Sequence, residues 1–142
     1  MRIIKGTLFG GIAYFLIGWL VWGVLLMDLM SARMNQCAAR PAGDMVWWAI
    51  ILSNFAGALL LTLLLYYSKA AKLVQGLLTG ALFGFLFALT VDLSSLSMTT
   101  MFSSIGIMLV DIIASTVVYA IMGMVIVLTW GKGKQGNRET EK

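Results

Sequence analysis

The chain has 142 residues, of which 61% are hydrophobic and 11% charged; soluble domains run at roughly 45–50% and about 25%. A soluble globule is excluded. The formal net charge of +4 does not point to nucleic acid, because the basic residues sit at the ends of apolar runs, where membrane topology places them.

The apolar residues gather into four runs, each long enough to cross a hydrocarbon core, for which ~20 residues suffice. The sequence therefore reads as an all-α membrane protein of four transmembrane helices, arranged as two hairpins. The first span is predicted over about residues 6–30. Arg2 and Lys5 precede it as in a signal peptide, but the run is too long for an h-region and has no clean small-residue cleavage site, so it reads as a retained anchor. Apart from glycines, Thr7 and Tyr14 it is apolar up to Asp28. A polar loop follows, SARMNQCAARPAGD, with the only proline, Pro41, and with Asp44 as the expected N-cap of the next helix.

The second span is predicted over about residues 45–67, with Trp47 and Trp48 at its start, Tyr66 and Tyr67 at its end, and Asn54 inside it. The aromatic pairs occupy the two interfacial positions. The short connection SKAAK leads to a third span at about residues 73–93, and an uncharged Ser/Thr-rich loop, SSLSMTTMFSS, is expected after it. The fourth span, about residues 105–130, contains Asp111. Residues 1–130 thus form one domain. The polar tail, residues 131–142, is expected to be disordered.

With four spans, Arg2, Lys5, Lys69, Lys72, Lys132, Lys134, Arg138 and Lys142 fall on one side, and only Arg33 and Arg40 on the other. The bias places both termini in the cytoplasm of an inner-membrane protein. A pattern Asp-Leu-x-Ser-x-x-Met occurs at Asp28 and again at Asp92, each time at the predicted outer end of a hairpin's first helix. The second helices then carry Asn54 and Asp111 at a similar depth, ~14 Å from their outer ends at 1.5 Å per residue. A pseudo-two-fold repeat and a coincidence in a biased alphabet both account for this.

Gly76, Gly80, Gly84 and Ala88 lie four residues apart on the third span, and the same step lands on Asp92. In lipid, small residues let helix backbones approach closely, which supplies the packing energy that the hydrophobic effect cannot. Positions four apart drift ~40° per step, so this is a winding seam suited to a right-handed crossing. Gly6 and Gly10 form a shorter candidate on the first span, and Ser53 with Gly57 another. Two readings are open: a dimerisation face making a homo-oligomer, or packing within the bundle. The second is favoured, because four helices in one chain already need close internal contacts.

An acid at the centre of a membrane helix costs ~2.5–3.5 kcal/mol on insertion scales. Asp28 and Asp92 lie near predicted outer ends, where water or the capping of a loop accounts for them. Asp111 lies well inside its span with no Lys or Arg within several turns, and Ser115 shares its face. An Asp111–Asn54 contact would satisfy both side chains. The bland reading is a structural interhelix hydrogen bond; the functional one is a polar pocket in the outer half that responds to a proton or cation.

Seven methionines, Met27, Met30, Met34, Met45, Met98, Met101 and Met108, fall in or near the outer half, and Met27, Met30, Met34 and Cys37 would share a face if the first helix continued. Thioethers and a thiolate select Cu(I). Methionine is also a common apolar filler, and with no histidine and no dense Met run no metal is assigned. No cofactor is expected. The single cysteine forms no internal disulfide. HExxH, GxSxG, a phosphate loop and a Cys/His pair are all missing, so the chain reads as non-enzymatic.

The segments GIAYFLIGWLVWG, WWAIILSNFAGALLL, TGALFGFLFALTVDL and MLVDIIASTVVYAIMGMVIV resemble the small four-span bacterial inner-membrane proteins grouped as a domain of unknown function, found for example in Bacteroidetes. The resemblance covers about residues 6–130 and implies four helices in an inner membrane. It carries no catalytic residues to transfer. Beyond the lipid bilayer, the leading expectation is a small ligand, proton or cation bound by Asp28, Asn54, Asp92, Asp111 and Ser115, in transport or sensing. The alternative is an assembly subunit that packs or dimerises through the small-residue ridge.

Overall fold

A computed structural model describes residues 1–35, 37, 40 and 42–131. The tail expected to be disordered lies outside the described residues except for Gly131, as do Pro41 and the basic residues from Lys132 onward. The fold is all-α. Among the described residues the α-helices are α1 (Arg2–Leu20), α2 (Met27–Arg33), α3 (Trp47–Tyr67), α4 (Leu73–Met98) and α5 (Ile105–Thr129). Four helical stretches, Arg2–Leu25, Trp47–Tyr67, Leu73–Met98 and Ile105–Thr129, are long and apolar enough to span a membrane. Helices suit that solvent because they satisfy their own backbone groups. The end of the bundle carrying Arg33 and Arg40 is termed outer, and the end carrying Lys69 and Lys72 inner.

The predicted first span is not one continuous helix. At Val21–Leu25 the chain widens into a π-turn, in which the Leu26 N–H donates to the Val21 carbonyl at 2.8 Å. The helix breaks at Leu26, and the short α2 carries Asp28 and Met30 beyond it. It ends at Arg33, and Met34 is already extended. The helical face expected to join Met27, Met30, Met34 and Cys37 is therefore not formed. Asp44 is not the N-cap of α3; it closes a 3₁₀ turn (Ala42–Asp44), and Val46 holds the cap position.

The third span is longer than predicted. The Ser/Thr stretch expected as a loop continues α4 to Met98, because its hydroxyls fold back onto the preceding turn. Ser94 Oγ donates to the Thr90 carbonyl at 2.8 Å, and Thr99 Oγ1 to the Ser95 carbonyl at 2.7 Å. Such bonding shields hydroxyls in apolar surroundings without ending the helix. At the other end of α4, Gln75 Oε1 accepts the backbone N–H groups of Ala71 and Lys72 at 2.8 and 3.0 Å. The tight turn before it places Lys69 in the left-handed region, at φ 54°.

Packing follows the small residues. The closest pair is α4 against α5; α1 packs on α3, and α1 on α5 joins the two hairpins. A Cβ added at Gly76 would lie 2.5 Å from the Gly123 carbonyl oxygen, one at Gly80 would run into the Tyr119 carbonyl, and one at Gly84 would lie 3.0 Å from the Ser115 carbonyl oxygen. Backbone meets backbone, as the seam requires. Gly6 and Gly10 are buried on α1 and face Ile126 of α5, with Thr62 and Ala58 of α3 alongside. By contrast α3 and α4, although joined by a short turn, touch little.

Leu61, Leu65, Met122 and Ile126 fill the inner half and have no exposure. At the outer end Met30, Phe102, Ile107, Met108 and Ile112 form a second apolar cluster. The two outer connections are pinned together above it: Met34 pairs with Phe102 in an antiparallel bridge, and the Asn35 N–H donates to the Met101 carbonyl at 2.8 Å.

Candidate functional site

The α4 ridge meets a second ladder of the same step on α5: Asp111, Ser115, Tyr119, Gly123 and Val127. The helices run antiparallel, so the register that sets Gly76 on Gly123 and Gly84 on Ser115 and Tyr119 brings the two acids, at the far ends of both ladders, to the same level. Asp92 and Asp111 line one cleft of about 320 Å³. Its other polar lining is Ser115 and the phenols of Tyr14 and Tyr119, and among the described residues no Lys or Arg lines it. Trp22, Phe87, Ala88 and Val91 complete the wall.

The structure corrects the expectation for Asp92. Sequence pattern sets it at the outer end of the ridge, within reach of water. It is instead 4% exposed, because α4 runs on past it to Met98. Its Oδ2 is buried and has no hydrogen-bond partner among the described residues. Asp111 is only partly buried, and its Oδ1 accepts a hydrogen bond from the indole Nε1–H of Trp22 at 2.7 Å. A buried donor or acceptor without a partner costs ~1–3 kcal/mol, more if charged. Of the two acids Asp92 is the more costly, the reverse of the expectation.

The Asp111–Asn54 contact is not formed. Asn54 faces a separate space of about 270 Å³ between α1 and α3, together with Trp19, Met45 and Trp47. Tyr14 and Trp22 line both spaces and stand as the partition. Similar depth on two helices does not fix the direction in which a side chain points. Asp28 is exposed on α2 and joins neither space. Ser115 lines the acid cleft, and Asp111 takes its hydrogen bond from Trp22 instead of from Ser115.

Trp22 and Tyr119 carry no assignment from sequence pattern. Trp22 is brought round by the π-turn, a feature that apolar periodicity does not encode; such turns recur at functional sites. Tyr119 sits where all four spans meet. Its ring centroid is 4.9 Å from that of Tyr14, 5.2 Å from Phe83 and 6.0 Å from Phe87, and a Cβ on Gly57 would lie 3.4 Å from its hydroxyl. Extending the four-residue step from Asp111 and Ser115 reaches it. The methionines divide: Met30 and Met108 are buried as filler, while Met27 and Met98 are exposed.

No family model, curated protein or solved structure matches this chain. The fold itself defines the class: an integral, multi-pass, all-α membrane protein with four candidate spans.

Proposed function

We propose that this is a non-enzymatic membrane protein that binds a proton or small cation in the cleft between α1, α4 and α5, for transport or sensing. One observation carries the reading: the Asp92 carboxyl is buried and, among the described residues, has an unpartnered oxygen and shares its cleft with a second acid and no basic group. An uncompensated carboxylate in such surroundings is expensive, and intramembrane acids of this kind mark ion or substrate paths. A bound proton or cation supplies the missing partner.

The bacterial inner membrane, cytoplasmic termini and kinship with the small four-span family belong to the same proposal. The charge bias between Arg2, Lys5, Lys69 and Lys72 at one end and Arg33 and Arg40 at the other supports the orientation. The ridge Gly76, Gly80, Gly84 is covered by α5 within a single chain, so it does not favour the assembly-subunit reading.

The test is proton exchange by the purified protein in weakly buffered detergent, followed with a pH indicator as monovalent cations are added. Wild type should exchange protons with the cation, and Asp92→Asn and Asp111→Asn should lose the exchange. Traces unchanged in both variants would remove the cleft from consideration.

A further inference from the structure

The acids state the sign of the ligand, and the rest of the cleft states its chemistry. We infer that the cleft takes an organic ammonium cation that enters from the bilayer through the groove between α3 and α4. This rests on the cleft being a cation site. A bare inorganic cation such as Ca²⁺ asks for ~6–8 oxygen ligands. Here Asp111 Oδ1 is already engaged by Trp22, and much of the remaining wall is ring and hydrocarbon. Among the described residues no group of three or more His, Cys, Asp or Glu is placed to hold a metal ion.

Four aromatic side chains from three helical segments, Tyr14, Trp22, Phe87 and Tyr119, border the acid pair. Ring faces attract a cation within ~6 Å of their centroids, and aromatic cages of this kind recognise quaternary ammonium groups. The volume, about 320 Å³, falls at the lower end of the ~300–1,000 Å³ of small-molecule sites. Among the described residues the unpartnered Asp92 oxygen has no cationic side chain in its cleft.

The route follows from the part of the bundle that does not pack. Where α3 and α4 stand apart lies a larger apolar groove of about 510 Å³, with Leu64 on one side and Leu78, Leu82 and Leu86 on the other. Phe87 lines both this groove and the cleft, and Phe83 stacks on it at 5.7 Å. An amphipathic cation that partitions into lipid reaches the acids by moving the Phe87 ring. A hydrated inorganic ion gains nothing from such a path.

Calorimetric titration of the full chain in detergent with benzyltrimethylammonium tests this, with neopentylbenzene as its uncharged isostere. Wild type should bind the cation and not the isostere. Asp92→Asn should weaken binding by tenfold or more, and Phe87→Leu by about 2- to 30-fold, both retaining the wild-type circular dichroism and gel-filtration profile. Leu82→Trp, in the groove and outside the cleft, should slow association and dissociation alike at unchanged affinity; unchanged rates overturn the lateral route. Equal binding of the isostere overturns cation recognition. Absence of benzyltrimethylammonium binding, with Asp92-dependent proton exchange still present, overturns the organic ligand and leaves the cleft a proton or inorganic-cation site. Absence of both defeats the two readings together.

Discussion

The inner and outer halves of the bundle are built from the same two ladders and end in opposite conditions. On the inner side of Tyr119 the ladders carry glycine, backbones touch, and Leu61, Leu65, Met122 and Ile126 close the remaining space. On the outer side they carry Ala88 with Asp92, and Ser115 with Asp111, and a cleft opens between them. The difference teaches that a small-residue seam does two jobs. It supplies the close contact that holds the fold in lipid, and its register delivers whatever lies at its end to a fixed place. The rigidity of one half positions the chemistry of the other.

The strongest way to break that comparison is at the seam. Gly80→Ile places a branched side chain where only a carbonyl now fits, and α4 and α5 must separate. Overpacking costs typically ~1–3 kcal/mol and sometimes more. With backbone as the obstacle the upper end is expected, seen as loss of a monodisperse gel-filtration peak in detergent. Leu61→Ala removes filler from the inner half without touching the seam. It should cost ~2–5 kcal/mol in reversible unfolding by denaturing detergent and leave proton exchange by the cleft intact.

Asp92→Leu reverses the sign. Replacing a buried carboxyl that has one unpartnered oxygen with an apolar side chain should raise stability by ~1–3 kcal/mol while abolishing cation-linked proton exchange. A variant that is both less stable and inactive would mean that Asp92 is a structural partner, and the contrast between the halves would fail. The smallest effect is expected at the other copy of the repeated motif. Asp28→Asn, on an exposed surface, should stay within ~0.5 kcal/mol of wild type and leave proton exchange unchanged.

The two copies of Asp-Leu-x-Ser-x-x-Met show how far local pattern reaches. Pattern alone places both at outer helix ends. One follows a π-turn and a break and is exposed; the other continues an unbroken helix and is buried. Nothing in the shared residues distinguishes them. The difference lies in what precedes each copy, and in the hydroxyls that keep α4 helical beyond the second.

The sequence by itself determined the class, the four spans and the ridge, because hydrocarbon-length apolar runs and a four-residue step are properties of composition and helix geometry alone. It also singled out Asp111 as an acid where acids are costly, and set Asp92 at the solvated end of the ridge. Only the tertiary structure decided which of them is buried, that they share one cleft, that Trp22 and not Asn54 serves Asp111, and that α3 and α4 stand apart. These depend on azimuth and register between helices, which for α4 and α5 are set by backbone contact at Gly76, Gly80 and Gly84. An apolar sequence facing lipid on one side and protein on the other carries little amphipathic signal from which to read them.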